Sequence, residues 1–233
     1  MVQKRSNSWS DYFLWILLAC ACVVTGLVVR HEIDTRIGWP IGTAPQAQGF
    51  VEEWREIAEI GHIAGSGDAS VTIILFIDFQ CSYCRAFSRV VPEVTEEYGG
   101  DVATVFRHYP LPIHPEAANA AVASECAGQQ GSFWEYHDIL LEDQHTIGSR
   151  SWSTFAIAAS VRDLDQFEQC ISTDSARVAV RRDLAAGADL GITGTPTFLI
   201  NGSLYRGAMS KSSLRSAIDW HMRRLPNGRE DMP

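Results

Sequence analysis

Short hydrophobic runs and helical periodicities divide the centre of the chain into alternating strands and helices. Residues 71–77 form a continuous, β-branched apolar run, which is typical of a strand buried on both faces of a sheet. Residues 102–106 repeat this pattern, and residues 84–98 between them are predicted to form a helix. The pattern therefore predicts a β-α-β unit with two buried strands.

The second half of the chain is mainly helical and then returns to strands. Residues 114–191 contain several amphipathic or alanine-rich stretches, which predict a block of helices. Residues 197–200 and 203–207 are strand-like, and the Asn-Gly pair between them is a hairpin signal. A last helix is predicted at residues 211–225. The order of elements predicts an α/β domain with a helical insertion.

Residues 13–29 form an apolar run without a charged residue. As a helix this run would span about 26 Å, at about 1.5 Å per residue, and the hydrocarbon core of a membrane is about 30 Å thick. Lys4 and Arg5 precede the run, so the amino end is expected to stay in the cytoplasm. We therefore predict a cytoplasmic N-terminus at residues 1–11 and a transmembrane signal anchor at residues 12–30, with the following domain outside the cytoplasmic membrane.

Three other interpretations of this apolar segment stay open. Residues 19–21 resemble a signal-peptide cleavage site, and residues 17–20 resemble a lipobox, which would make Cys20 a lipidated N-terminus. The segment would otherwise be a buried helix of a soluble protein. Apolar sequence continues as far as Val29, which favours the uncleaved anchor.

Residues 31–67 are predicted to be a linker with one short helix. The chain up to residue 49 contains Pro and Gly and has little periodicity, which is typical of a linker. Residues 50–63 place apolar side chains on one helical face. We expect this helix to dock on a domain at residues 68–225, which is followed by a tail at residues 226–233.

Composition and charge restrict the class of this 233-residue chain. Hydrophobic residues make up 46% and charged residues 20%, which is typical of a globular domain. The formal net charge is -9. No nucleic-acid partner is expected, because non-specific binding to nucleic acid requires a positive surface.

One of three cysteine pairs is the CxxC motif Cys81-Ser82-Tyr83-Cys84, between a predicted buried strand and a predicted helix. A helix N-terminus offers free N–H groups and a partial positive charge, and both stabilise a thiolate. We therefore predict that Cys81 is the nucleophile and Cys84 the resolving thiol of a redox-active pair. No metal is expected, because neither a second CxxC nor a histidine pair supplies further ligands.

Three motifs resemble the DsbA-like proteins of the thioredoxin superfamily, and they follow the family's order within residues 68–225. They are the stretch 79–87 around the CxxC, the stretch 107–112 before an alanine-rich helix, and the stretch 194–202. The resemblance implies a thioredoxin fold with a helical subdomain inserted at about residues 114–191. It also implies a thiol–disulfide oxidoreductase that uses its cysteine pair and no bound cofactor.

The resemblance assigns roles outside the CxxC motif as well. Pro196 matches the cis-proline of the family, and a cis bond would turn Thr195 toward Cys81 and leave its backbone free to pair with an extended substrate. Thr195, Pro196 and Tyr83 are therefore expected to bind substrate. A rigid strand start would explain Pro196 without a substrate. Asp78, three residues before Cys81, either tunes the thiol or is simply a polar residue at a strand end.

Two interpretations of Cys126 and Cys170 stay open. They are either a structural disulfide that clamps the helical insertion or two buried free thiols that behave as small hydrophobic residues. The disulfide would close a loop of about 45 residues and would stabilise the fold by roughly 4 kcal/mol in the chain-entropy model. We expect the disulfide, and peptide mapping of non-reduced protein would detect it.

The expected function is disulfide exchange with cysteine-containing exported proteins. Oxidation is the expected direction because such proteins need disulfides, and a quinone-linked membrane redox partner would then reoxidise the pair. Ser82-Tyr83 differs from the Pro-His dipeptide of DsbA, so a reductase or isomerase role stays open. A Cu(I)-binding chaperone is the alternative from another class, since soft thiolates bind that ion.

Overall fold

The structure, a computed structural model, describes residues 46–225. Within them a mixed sheet consists of five strands, namely β1 (His62–Ala64), β2 (Val71–Ile77), β3 (Val102–His108), β4 (Thr197–Ile200) and β5 (Ser203–Arg206). Their order in the sheet is β1-β3-β2-β4-β5. β2 and β3 are parallel, and the other neighbouring strands are antiparallel.

The helices of the described residues surround this sheet and fill the long connection between β3 and β4. They are α1 (Trp54–Ala58), α2 (Ser82–Thr95), α3 (Ala117–Gly128), α4 (Phe133–Glu142), α5 (Trp152–Ala158), α6 (Leu164–Ser172), α7 (Ser175–Asp189) and α8 (Lys211–Met222). Helices α3 to α7 form the insertion, and short 3₁₀ turns occur at Glu96–Asp101 and Gln144–Thr146. The predicted α/β domain with a helical insertion is therefore confirmed.

Strand β2 lies at the centre of two hydrophobic cores, as its uninterrupted apolar sequence predicts. Side chains alternate between the two faces of a strand. Ile73 and Leu75 pack into the larger core with α2, α3 and α8, whereas Ile74 and Phe76 pack with Trp54 of α1 on the other face. Burial on both faces fixes the end of β2, which is where the CxxC motif begins.

The helix predicted over residues 50–63 is wrong in its extent. Helix α1 covers only Trp54–Ala58, and the chain then turns at Gly61 and forms the edge strand β1, which pairs with β3. A Cβ atom on Gly61 would lie 2.5 Å from the carbonyl oxygen of Phe106, so this close approach to β3 requires glycine. A three-residue strand is too short to show an alternating pattern in the sequence.

The hairpin between β4 and β5 forms where the Asn-Gly pair predicts it. Asn201 has φ of 43° and Gly202 has φ of 87°, which is the conformation that a two-residue hairpin turn requires at both positions. A side chain at Gly202 would meet the ring of Trp54 at 2.6 Å. The turn therefore also provides the surface on which α1 docks.

A disulfide between Cys126 of α3 and Cys170 of α6 lies within the helical insertion. Both residues are buried, and the alanine-rich face of α3 packs closely against the neighbouring helices. Of the two interpretations of this pair, the structure contains the disulfide.

The predicted cytoplasmic segment 1–11, anchor 12–30 and tail 226–233 lie outside the described residues, as does Cys20. Within residues 46–225, none of the helices combines the length and the apolar character needed to cross a membrane.

Candidate active site

Cys81 occupies the position that caps helix α2, directly after the loop that follows β2. Its φ and ψ are −79° and 119°, so the chain is extended at Cys81 and becomes helical at Ser82. The first N–H groups of a helix have no partner inside the helix and carry partial positive charge. The sulfur of Cys81 therefore lies at the end of α2 that stabilises a negative charge, as the sequence predicts.

Cys84 lies one helical turn further along and is completely buried, whereas Cys81 keeps 7% of its surface exposed. Both are free thiols in this structure. When it is protonated, the Cys81 thiol donates a hydrogen bond of 3.2 Å to the carbonyl oxygen of Thr195, and the Thr195–Pro196 bond is cis. The chain thus brings Cys81 and Thr195 together across 114 residues of sequence.

The pKa values of the two thiols are shifted in opposite directions. A hydrogen bond from Cys84 has the largest effect on Cys81, and the Thr195 side chain and the N–H groups of Cys84 and Tyr83 add to it. Together they outweigh burial and lower the pKa of Cys81 to about 5. Burial and the neighbouring Cys81 raise the pKa of Cys84 well above its ordinary value. At neutral pH, Cys81 is therefore a thiolate beside a protonated Cys84.

Asp78 links the CxxC loop to the loop after β3. Its buried carboxylate accepts hydrogen bonds from the N–H groups of Gln80 at 2.7 Å and Leu111 at 2.7 Å, and it contacts His114 Nδ1 at 2.8 Å. The backbone N–H of Asp78 also lies 3.5 Å from the sulfur of Cys84. Asp78 therefore organises the backbone around the thiols, in addition to ending the strand.

Two glutamine side chains that the sequence did not single out hold the CxxC loop against the insertion. Gln144 donates from Nε2 to the carbonyl oxygens of Phe79 at 2.8 Å and Cys81 at 3.0 Å. Gln80 accepts a 2.7 Å bond from the N–H of Glu116. A single glutamine 63 residues away from Cys81 has no sequence signature, so only the fold could reveal it.

Two large apolar side chains around this loop are exposed. Tyr83, in the first turn of α2, has 68% of its surface exposed, and Ile113 has 80% exposed. Ile113 directly precedes His114, which the Asp78 carboxylate holds. Exposed apolar side chains beside a reactive group are typical of a surface that contacts other proteins.

Outside the cysteines, one group of side chains in residues 46–225 has the geometry of a metal site. Its members are His62, His108 and Glu125, whose donor atoms lie within 4.8 Å of one another. Neither Cys81 nor Cys84 belongs to this group.

The comparison with known families agrees with this fold. A family model described as Thioredoxin matches residues 58–220. The chain belongs to the thioredoxin family. The solved structure of Pseudomonas aeruginosa DsbA2 is similar to it, with 27% identity, a TM-score of 0.60, and coverage of 71% of this chain and 96% of that one. The resemblance to DsbA-like proteins is therefore confirmed for this thioredoxin-family chain.

A second solved structure and a curated relative extend this comparison. BdbD from Bacillus subtilis has the same fold, with a TM-score of 0.65 and 20% identity, and covers 78% of this chain and 100% of its own. A protein named Na(+)/H(+) antiporter NhaA 1, from Mycolicibacterium gilvum, is 36% identical over 164 residues. The match covers 69% of this thioredoxin-family chain but only 26% of that relative.

Proposed function

We propose that this chain is a protein disulfide oxidoreductase that works as an oxidase on cysteine-containing exported proteins. The observation that carries the proposal is the pair of thiols at the start of α2. Cys81 has a pKa of about 5 and lies beside a buried Cys84 whose pKa is raised. Such an arrangement stabilises the dithiol, in which Cys81 is ionised, and a stabilised dithiol makes the corresponding disulfide a good oxidant.

The reaction begins with the Cys81–Cys84 disulfide and two thiols of a substrate. A substrate thiolate attacks the sulfur of Cys81, forms a mixed disulfide, and releases Cys84, which takes up a proton because its pKa is raised. A second substrate thiolate then attacks the substrate's own sulfur and displaces Cys81. Cys81 leaves as a stable thiolate because its pKa is low. Two electrons pass from substrate to enzyme, and the substrate gains one disulfide.

The residues around Cys81 offer a place for an extended substrate. The carbonyl oxygen of Thr195 lies 3.2 Å from the sulfur of Cys81, so a substrate cysteine bonded to Cys81 would bring its backbone next to Thr195 and Pro196. Pairing with the Thr195 backbone gives affinity without demanding a particular side chain. Exposed Tyr83, two residues after Cys81, offers an apolar surface for the same substrate.

We place this activity on the outer side of the cytoplasmic membrane. The support is the charge-free run at residues 13–29 and the basic residues before it. The matched relatives are named as Na(+)/H(+) antiporters, and that name also fits a membrane location. The chain spans about a quarter of those relatives' length, so we do not propose antiport activity for this chain. Repeated oxidation requires an acceptor for two electrons, and we propose a membrane redox partner for this step.

Trapping of mixed disulfides tests the exchange reaction directly. The Cys84→Ser variant is expected to accumulate mixed disulfides with exported proteins, because Cys81 can still attack but nothing resolves the product. The matched Cys81→Ser variant is expected to trap nothing. If Cys84→Ser also traps nothing, exchange through Cys81 is refuted. If the wild-type protein, kept reduced by an added thiol, reduces disulfides while its oxidised form does not oxidise a reduced unfolded protein, the chain is a reductase.

A further inference from the structure

Two histidines and one glutamate meet where β1, β3 and α3 come together. The carboxylate oxygen Oε1 of Glu125 lies 2.7 Å from Nε2 of His62 and 2.8 Å from Nε2 of His108. His62 lies 63 residues before Glu125 in the sequence, and His108 lies 17 residues before it. No short sequence motif therefore predicts this cluster. The cluster contains neither of the reactive cysteines, and the proposed exchange reaction does not use it.

His62 is held in place by its surroundings. Its ring stacks on Phe133 with a centroid distance of 3.4 Å and an angle of 6° between the planes. A Cβ atom on Gly128 would lie 2.9 Å from Cε1 of His62, so glycine at this position leaves room for the ring. Side chains whose orientation is fixed by packing lose little freedom when they bind a ligand.

The other two members differ in their access to water. The side chain of His108 is fully buried at the end of β3, whereas Glu125 and His62 have side-chain exposures of 14% and 24%. His62, the more exposed histidine, therefore connects the cluster to the surface.

We propose that His62, His108 and Glu125 bind a divalent transition-metal ion of the zinc class through two imidazole nitrogens and one carboxylate oxygen. Two histidines and a carboxylate are a common ligand set for zinc with a fourth position left to water. His62 is the exposed member, so the fourth position faces solvent on its side. Such an ion would join the edge strand β1 to helix α3 of the insertion.

The distances agree with a site that needs a small adjustment. Zinc bonds of roughly 2.0–2.1 Å at tetrahedral angles place neighbouring donor atoms about 3.3 Å apart. The Glu125 oxygen lies 2.7 and 2.8 Å from the two histidine nitrogens, so each of these distances must increase by about half an ångström when the ion binds. Rotation of the partly exposed Glu125 side chain would supply this movement while His62 and the sheet keep their positions.

His108 sets the expected strength of the site. Binding through Nε2 places the imidazole proton on Nδ1, and Nδ1 of His108 is buried without a hydrogen-bond partner among the described residues. Ligating histidines usually donate this proton to a carbonyl or carboxylate, and the loss of such a partner weakens binding by about 10–100-fold. We therefore expect affinity in the micromolar range, which is weaker than that of a closed structural zinc site.

Calorimetric titration of the full chain with Zn²⁺ alone tests the proposal. The protein is first oxidised and treated with iodoacetamide, so that no free thiol can bind the metal. The expected result is one bound Zn²⁺ per chain and a higher melting temperature when Zn²⁺ is present. Absence of binding would overturn the proposal.

Three variants locate the site. His62→Ala and Glu125→Gln are each expected to weaken Zn²⁺ binding at least tenfold and to abolish the Zn²⁺-dependent rise in melting temperature. His145→Ala removes an exposed histidine elsewhere in the insertion and is expected to bind Zn²⁺ like the wild type. Circular dichroism checks the folding of each variant, and His62→Ala, the variant of the more exposed ligand, is decisive if Glu125→Gln unfolds. Wild-type affinity in folded His62→Ala protein would contradict the proposal.

Discussion

Replacement of Cys84 tests the physical origin of the acidity of Cys81. The largest influence that lowers the pKa of Cys81 to about 5 is a hydrogen bond from the Cys84 thiol, ahead of Thr195 and the N–H groups of α2. A Cys84→Ser variant keeps a donor at this position, and a Cys84→Ala variant removes it. The two variants differ by a single atom that can donate a hydrogen bond, so their comparison isolates this one interaction.

The size of the effect follows from the strength of a hydrogen bond to a charged group. Such a bond contributes about 1.5–3 kcal/mol, and one pKa unit corresponds to about 1.4 kcal/mol. Loss of the bond in Cys84→Ala is therefore expected to raise the pKa of Cys81 by about one to two units. Cys84→Ser is expected to remain near the wild-type value of about 5.

Thiolate absorbance at 240 nm, followed against pH, measures this pKa in each variant, and the rate of alkylation by iodoacetamide gives an independent value. Both variants leave Cys81 as the one titrating thiol of the active site, which keeps the curves simple. Equal pKa values near 5 in Ser and Ala variants would show that the helix N-terminus, and not the neighbouring thiol, sets the acidity. A wild-type pKa near the ordinary value of a free thiol would refute the whole electrostatic account.

Three further predictions concern stability. Replacing Cys126 and Cys170 with serine is expected to lower the free energy of unfolding by about 4 kcal/mol, because the disulfide closes a long loop in the unfolded chain. Urea denaturation measures this change, and a loss below about 1 kcal/mol would contradict the entropic argument. Asp183→Ala leaves a buried arginine unpaired and is expected to cost about 3–5 kcal/mol, whereas Asp174→Ala breaks an exposed ion pair and is the matched control with little change. Burial lowers the pKa of His221 to about 4, so stability is expected to fall as pH drops from about 6.5 toward 4, and His221→Gln should flatten that dependence in urea titrations.

The features that could be predicted from the sequence are those with a local signal. The run at residues 71–77 predicts a buried strand because every position is apolar, and the Asn-Gly pair predicts a hairpin because its conformation is rare elsewhere. The CxxC between a strand and a helix places Cys81 at a helix N-terminus from spacing alone. Local pattern was therefore enough for these elements and for the position of the reactive sulfur.

The features that the sequence did not reveal depend on contacts between distant residues. Gln144 supports the loop of Cys81 from 63 residues away, and a single amide carries no pattern. His62 and His108 meet Glu125 only because β1 pairs with β3 beside α3. The three-residue strand β1 has no periodicity of its own, so neither the strand nor the cluster that it completes was predicted.

The direction of the reaction, which the dipeptide Ser82-Tyr83 leaves open, is a question about redox potential. A more acidic nucleophilic thiol stabilises the dithiol and raises the potential, provided that the second thiol stays protonated. The raised pKa of Cys84 satisfies this condition. The pKa of the nucleophilic thiol is about 7 in thioredoxin and about 3.5 in DsbA, and their potentials are about −270 and about −120 mV. The value of about 5 for Cys81 lies between the two.

Both reference proteins allow the potential of this chain to be bounded. From thioredoxin, a pKa lower by about two units corresponds to about 2.7 kcal/mol and raises the potential by roughly 60 mV, to about −210 mV. From DsbA, a pKa higher by about 1.5 units lowers the potential by roughly 45 mV, to about −165 mV. Equilibration with glutathione, read by alkylation of the free thiols, is expected to give a value between these bounds. A value near −270 mV would refute the oxidase assignment, because the enzyme would then reduce disulfides of its substrates instead of forming them.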